Sequence, residues 1–126
     1  LKTIMTGSKL KRYQDLVEKI PVPDHVYELA VDLVRRTRPG SSEAPSWIKQ
    51  SIQWGAGPRA VQFLIKGARA HAVIKGNFIV SEEDLESVAE PVLFHRIITN
   101  FHARSEGITS AEVIKRLIEE LRADNQ

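Results

Sequence analysis

Apolar residues recur at every third or fourth position along most of this chain, which is the spacing of one face of an α-helix. Alternating apolar and polar positions, which indicate half-buried strands, are scarce. The pattern therefore predicts an all-α fold, a helical bundle of about six helices with at most a minor short β pair. The apolar stripes are Leu10, Tyr13, Leu16, Val17 and Ile20; Val26, Leu29, Ala30, Leu33 and Val34; Val61, Leu64, Ile65, Ala68 and Ala72; Leu85, Val88, Ala89 and Val92; and Val113, Ile114, Leu117, Ile118 and Leu121.

Residues that begin and end helices divide these stripes. Prolines in "PVPD" at 21–24 and "PG" at 39–40 end the first two helices, and Gly76 suits the end of a later one. Two pairs of residues have the spacing of a capping box, in which a side chain and the backbone at a helix start bond reciprocally. The predicted caps are Thr6 or Ser8, Asp24, Ser81 with Asp84, and Thr109 with Glu112.

The segment "SWIKQSIQW" at 46–54 predicts a short helix with a tryptophan near each end. We expect Trp47 to face inward, with Trp54 as a second candidate, and at least one of them to be mostly buried because large aromatics dominate cores. Residues 78–80 are apolar and predict a short extended segment. The pattern allows at most one small hairpin or extended pair, near 78–80 and 97–101.

The stretch "WGAGPRA" at 54–60 places a cation at the start of a helix. Gly57 can serve as the N-cap, and Pro58 suits the first helical position. Arg59 then falls in the first turn, where the helix dipole already contributes partial positive charge. The glycines allow another group to approach the backbone closely.

A helix start of this kind can bind an anion. Free backbone N–H groups at a helix start bind phosphate, and a guanidinium adds a planar fork suited to phosphate oxygens. Gln62, Lys66 and Arg69 follow on roughly the same helix face as Arg59, so the polar side of this helix is basic. The alternative is an ordinary arginine, exposed to solvent or paired in a salt bridge.

The charge of the 126-residue chain is unevenly distributed. Residues 1–80 carry 13 Lys or Arg and 6 Asp or Glu, a net +7, whereas residues 81–126 carry 5 and 10, a net −5. This asymmetry suits an anionic ligand on one side or head-to-tail contact between copies, although a solvated surface can also be patterned so by chance. There is no cysteine, and no apolar run approaches the roughly 18 residues of a membrane span.

Motifs of complete enzymes and of metal sites are absent from the sequence. There is no G-x-x-x-x-G-K-[ST] phosphate loop and no G-x-G-x-x-G. The histidines, His25, His71, His95 and His102, form no H-x-x-x-H or H-E-x-x-H pattern, so no metal site is expected. The carboxylates of "SEEDLE" at 81–86 are typical of a charged first helical turn. The chain alone is not expected to be an enzyme.

Residues 54–96 closely resemble the lid of MoxR-type AAA+ ATPases. In that family a W-G-[AS]-x-P-R segment begins the sensor-2 helix, followed by a G-[RN]-[YF]-x-V link, an acidic E-D cap and a PVL-x-HRI turn; this chain has "WGAGPR", "GNFIV", "EED" and "PVLFHRI". The flanks "VPDHVYELAVDLVRRTRP" and "NFHARSEGITSAEVIKRLI" resemble the entry helices and the tail of the same lid. The resemblance implies one AAA+ C-terminal lid domain over 1–126, with entry helices at 1–40, the sensor-2 loop and helix at 41–76, and C-terminal helices at 77–126.

The resemblance also implies roles for single residues. Arg59 matches the sensor-2 arginine, which reaches from the lid to the γ-phosphate of ATP and so takes a catalytic role. Gly57 and Pro58 would shape the lid edge near the nucleotide, and Gln62 would lie near the base or ribose. ATP would then supply the negative charge that the helix start lacks.

The nucleotide-binding core of that family has no counterpart in this sequence, which lacks the phosphate loop, the second acidic motif, the sensor-1 residue and the arginine finger. The resemblance thus implies the lid of a longer ATPase that uses ATP and Mg²⁺, with no cofactor expected on the lid by itself. Family members are chaperone-like ATPases that mature or activate partner proteins, often von Willebrand A-domain proteins, and they form rings, usually hexamers. The implied partners are the chain's own AAA+ core and neighbouring ring subunits, in the cytoplasm and without nucleic acid.

Two other functions fit parts of the pattern. Short helices joined by a glycine turn, with a basic half at 1–80, can imitate a helical DNA-binding module, but no Asn/Gln/Arg cluster opens an exposed recognition helix. A purely structural oligomerisation domain, with the last helix as its contact, is the other alternative.

Overall fold

The computed structural model describes the backbone of residues 7–124 and the side chains of residues 11–124. Within this part of the chain it contains seven helices and one two-stranded sheet, which confirms the all-α prediction. The helix count exceeds the expected six by one. In chain order the elements are α1 (Gly7–Lys19), α2 (Asp24–Arg36), α3 (Ser46–Ser51), β1 (Ile52–Trp54), α4 (Arg59–Ile74), α5 (Glu82–Leu93), β2 (Ile98–Thr99), α6 (Phe101–Ser105) and α7 (Ser110–Asp124).

The core lies where α2, α4, α5 and α7 meet, and the predicted stripes of these helices face it. All five stripe residues of α2 are buried, and the stripes of α4, α5 and α7 are buried or half-buried. The most extensive contact joins α4 to α5, where Gly67 lies opposite Val88. The first stripe is only partly correct, because Val17 and Ile20 are buried and Tyr13 is half-buried, while Leu16 is 47% exposed. The side chain of Leu10 lies outside the described residues.

The helix ends follow most of the predicted signals. Ser81 and Asp84 form a complete capping box, with both reciprocal bonds present. Gly76 ends α4 with a φ of +77°, and Thr109 accepts a hydrogen bond from the Glu112 backbone N–H (3.2 Å). The prediction for Asp24 is wrong, because this residue is the first of α2 and the cap position is taken by Pro23 without a side-chain bond.

The prediction for the start of α1 is only partly testable. The helix is described from Gly7, so Ser8 lies within it and does not precede it. Thr6, the other predicted cap, lies outside the described residues.

The β pair forms, but with a different partner from the one predicted. β2 pairs antiparallel with β1, with Ile52 opposite Thr99 and Trp54 opposite Ile98. Residues 78–80 form no strand, because the Val80 N–H donates instead to the Pro21 carbonyl (3.1 Å) in the link between α1 and α2.

The two tryptophans have different surroundings. Trp47 is half-buried against the core, and its indole Nε1–H donates to the Glu120 carboxylate (2.9 Å to Oε1). Trp54 is 64% exposed, contrary to the inward position considered for it, because the chain leaves the helix at Ser51 and continues as a strand.

Candidate functional site

The start of α4 is built by the backbone alone, without a side-chain cap. Pro58 already has helical dihedrals (φ −58°, ψ −29°), and no side chain bonds to the first N–H groups. The Ala60 N–H donates to the Gly57 carbonyl (3.0 Å), and the Val61 N–H donates to the Pro58 carbonyl (3.2 Å). Pro58 therefore stands in the first turn, as its fixed φ predicts, and the helix is assigned from Arg59.

Arg59 is exposed at this helix start. No hydrogen bond or ion pair joins its side chain to any side chain described between residues 11 and 124, and the first turn of α4 holds no acidic residue. A fixed positive charge therefore stands beside the partial positive charge of the helix end, with no compensating group supplied by this part of the chain.

The segment before Arg59 is anchored on one side by hydrogen bonds to Asn100, which follows β2. The Asn100 N–H donates to the Ser51 carbonyl (2.8 Å), and the Asn100 side-chain amide donates to the Gln50 carbonyl (2.7 Å). These bonds extend the pairing of β1 with β2 and fix residues 50–54 against the chain that enters α6.

The same segment is anchored on its other side by the end of α2. Ala56, which is fully buried, donates its N–H to the hydroxyl of Thr37 (3.0 Å). Gly55 packs against the Thr37 carbonyl so closely that no side chain fits there. The sequence indicated that a group approaches these glycines, but no pattern marked Thr37, since a threonine after a helix is common at the surface.

A groove of about 900 Å³ runs beside α4, between that helix, α1 and α2. Gln62, Lys66 and Arg69 line it, together with Tyr13 and Tyr27. Arg59 does not line this groove, although it lies three residues before Gln62 on the same helix.

The Arg69 side chain is engaged in a hydrogen bond within the described part of the chain. Its guanidinium Nε donates to the Ile20 carbonyl (3.0 Å), which ties α4 to the end of α1. Of the four residues predicted on one basic face, Arg59, Gln62 and Lys66 are exposed, whereas Arg69 is half-buried.

The acidic segment 81–86 has a structural role at its centre. Asp84 is only 2% exposed and accepts hydrogen bonds from the Ser81 N–H (2.8 Å) and the Ser81 hydroxyl (2.9 Å), with His71 Nδ1 at 2.6 Å. Burial raises the pKa of the Asp84 carboxyl, but the hydrogen bonds from His71 and Ser81 lower the pKa by more, so it lies below its ordinary value. Asp84 therefore holds the start of α5 to α4 as a carboxylate.

No group of three or more metal-ligating side chains clusters anywhere among the described residues. Within the same part of the chain, no helix combines the length and apolar character needed to cross a membrane.

Comparison with known proteins adds an independent line of evidence. A family model described as the AAA lid domain matches residues 44–117. The chain is similar to the chaperone MoxR1 of Mycobacterium tuberculosis, with 28% identity over 94% of this chain and 31% of that protein. It is also similar to protein MoxR of Paracoccus denitrificans, with 36% identity over 48% of this chain and 18% of that protein.

A solved structure has the same fold. The crystal structure of a candidate ATPase from Cytophaga hutchinsonii matches with a TM-score of 0.75 and 28% identity, over 83% of this chain and 32% of that one. The chain thus spans 31% of the mycobacterial relative and 32% of the solved structure. Because the family model matches more than half of its residues, the chain belongs to the AAA lid domain family.

Proposed function

We propose that this lid closes over ATP held by an AAA+ core and that Arg59 is its sensor-2 arginine, contacting the γ-phosphate. The observation that carries the proposal is the start of α4, where an exposed guanidinium stands at an uncapped helix end. A missing side-chain cap costs about 1 kcal/mol, and a cation in the first turn costs about 0.3–1 kcal/mol more. A phosphate bound there offsets both costs, because it accepts from the Arg59 N–H, which has no carbonyl partner among the described residues, and neutralises the guanidinium.

The neighbouring residues fit a phosphate ligand. A Cβ built on Gly57 meets nothing within 4 Å, so this position leaves open space for a ligand beside the backbone. Pro58 has no N–H to satisfy and fixes the turn that presents Arg59. Gln62 is exposed at the groove beside α4, where we place the base or ribose.

The same residues do not fit a metal ion. The first turn of α4 has no carboxylate, and no metal-ligating cluster lies among the described residues. Mg²⁺ would therefore be held by the core and by ATP, where it would neutralise phosphate charge during hydrolysis. The part of this chain is to bind and orient the terminal phosphate.

The wider role is proposed from the relatives. A MoxR-type parent would be a chaperone-like cytoplasmic ATPase whose lid contacts its own core and the neighbouring subunits of a ring, with a hexamer as the expected size. A von Willebrand A-domain protein is the proposed client or partner. The family match favours this function over the DNA-binding module and the structural oligomerisation domain.

The direct test is Arg59→Ala in the full-length protein. Loss of one charge-assisted hydrogen bond, about 1.5–3 kcal/mol, predicts a roughly ten- to hundredfold loss of ATP turnover. Arg104→Ala is the matched control, because Arg104 is also exposed and its side chain has no bond within residues 11–124. Thermal unfolding measured on both variants should match that of the wild type.

Two results would contradict the proposal. Unchanged turnover in Arg59→Ala would remove the sensor role. A large fall in its melting temperature, absent in Arg104→Ala, would make Arg59 a structural residue of the lid.

A further inference from the structure

Thr37 connects the end of α2 to the segment that carries Arg59. The residue is fully buried at the C-terminal cap of α2, with φ −76° and ψ −15°. Its hydroxyl donates to the Val34 carbonyl (2.6 Å) and accepts from the Ala56 N–H (3.0 Å). The hydroxyl therefore acts as donor to the end of α2 and as acceptor from the segment before Arg59, and it joins the two at this junction.

Gly55 brings the two backbones to a distance that only glycine allows. A Cβ at this position would lie 2.6 Å from the carbonyl carbon of Thr37 and 2.7 Å from the Cα of Arg38, and closest of all to the Thr37 carbonyl oxygen. These neighbours are backbone atoms, so they cannot move aside as a flexible side chain would. The contact fixes how close the segment lies to α2, while the hydroxyl bond fixes its register along α2.

Little backbone freedom remains between this junction and Arg59. Only Gly57 and Pro58 separate Ala56 from Arg59, and the proline ring fixes one of the intervening dihedrals. The Ala60 N–H bond to the Gly57 carbonyl then closes the first turn of α4. The place of that turn is therefore set by the contact with Thr37.

We propose that Thr37 is a positioning residue for Arg59, holding the start of α4 where the guanidinium meets the terminal phosphate. This inference rests on the proposed sensor function of Arg59. A residue that orients a catalytic group without touching substrate can still have a large effect, since a displacement of about 1 Å can cost roughly a hundredfold in rate. Thr37 thus couples the C-terminal end of an entry helix to the nucleotide site.

The test is a double-mutant cycle in the full-length protein: Thr37→Val, Arg59→Ala and the two together. Valine keeps the shape of threonine but leaves the buried Ala56 N–H without a partner. We expect Thr37→Val to lower ATP turnover about tenfold and to add less than about twofold in the Arg59→Ala background, because coupled residues are not additive. Thr37→Ser, which keeps the hydroxyl, should restore turnover to within about twofold of the wild type.

Ser81→Ala is the control for a general loss of stability. It weakens the cap of α5, which is remote in sequence from the Arg59 segment, and should lower the melting temperature without lowering turnover at an assay temperature below unfolding. If Thr37→Val is unstable at that temperature, Thr37→Cys replaces it, with the weaker thiol bond giving a smaller loss of turnover. Unchanged turnover in a folded Thr37→Val or Thr37→Cys variant overturns the proposal.

The cycle separates this inference from the function on which it rests. If Arg59→Ala lowers turnover but Thr37→Val multiplies that loss in the double variant, Thr37 acts independently of Arg59 and the positioning role is wrong. If Arg59→Ala itself leaves turnover unchanged, the sensor function is wrong whatever Thr37 does.

Discussion

The starts of α4 and α5 differ in their side-chain caps and in the charge of their first turns. α5 is capped by Ser81 in a complete capping box and has an acidic first turn of Glu82, Glu83 and Asp84. α4 follows Pro58, has no side-chain cap and carries Arg59 where an acid would be favourable. Both helices belong to the same core and pack on each other.

The difference separates a helix start that side chains complete from one that they leave uncapped. The start of α5 is completed by its own side chains and by His71 of α4. The start of α4 is held in place by contacts with α2, while its first turn has no side-chain cap and the Arg59 side chain bonds to no side chain described between residues 11 and 124. Substitutions at the start of α5 should therefore lower the free energy of unfolding, whereas substitution of Arg59 should chiefly lower ATP turnover.

The largest loss of unfolding free energy is expected from Gly55→Ala. The added methyl would clash with backbone atoms of Thr37 and Arg38, and overpacking of this kind costs about 3 kcal/mol of unfolding free energy or more. Gly57→Ala makes the same chemical change two residues later in open space and should alter the unfolding free energy by less than about 0.5 kcal/mol. Urea denaturation of both variants measures the difference, and equal losses would mean that the junction with α2 is not rigid.

Asp84→Ala should be the next most damaging to stability. It removes the acceptor of the Ser81 N–H, the Ser81 hydroxyl and His71, and should cost about 2–3 kcal/mol of unfolding free energy. Arg59→Ala, at the other helix start, should change the unfolding free energy by less than about 0.5 kcal/mol. A similar loss for both variants in chemical denaturation would show that the two starts do not differ as described.

The contribution of Asp84 to stability should depend on pH in a definite direction. Because its pKa in the folded chain lies below the ordinary value of 3.8, the folded state binds this proton less tightly than the unfolded state. The carboxylate therefore stabilises the fold above pH 3.8, and this contribution is lost as the pH falls through the folded pKa.

Asp84→Asn provides the comparison for that pH dependence. The wild type should be more stable than this variant at pH 5, and the difference in unfolding free energy should shrink steadily as the pH is lowered below 3.8. A difference that stays constant from pH 5 to the acid limit would mean that Asp84 acts through its shape and not through its charge.

The smallest effects on the free energy of unfolding are expected from exchanging charge at the two starts. Arg59→Glu places an anion at the positive end of α4 and should raise the unfolding free energy by about 0.3–1 kcal/mol while abolishing ATP turnover of the full-length protein. Glu83→Arg, at an exposed position in the first turn of α5, should lower the unfolding free energy by a similar amount. A loss of stability in Arg59→Glu would mean that an anion of the chain outside residues 11–124 already pairs with Arg59.

Local patterns predicted most of the fold. The stripes of α2, α4, α5 and α7 identified the core because helical periodicity depends only on nearby residues. The capping box at Ser81 was predictable for the same reason. The predicted strand at 78–80 was wrong because the choice of strand partner depends on contacts between distant parts of the chain, and the Val80 N–H found Pro21 instead.

The sequence predicted the position of Arg59 on its helix but not the contacts around that segment. The sequence placed Arg59 in the first turn of α4, and the structure has it there. It also placed Arg69 on the same free basic face, but the carbonyl that Arg69 binds belongs to Ile20, 49 positions away. Thr37 was missed altogether, since its role depends on an approach of Gly55 and Ala56 that leaves no local sequence signal.

The most direct measurement compares the affinities of the full-length protein for ADP and for a non-hydrolysable ATP analogue, in the wild type and in Arg59→Ala. Only the analogue has a γ-phosphate, so we expect Arg59→Ala to weaken its binding by about tenfold or more and to change ADP binding by less than about twofold. An equal loss for both nucleotides, or no loss for either, would contradict the assignment of Arg59 to the γ-phosphate.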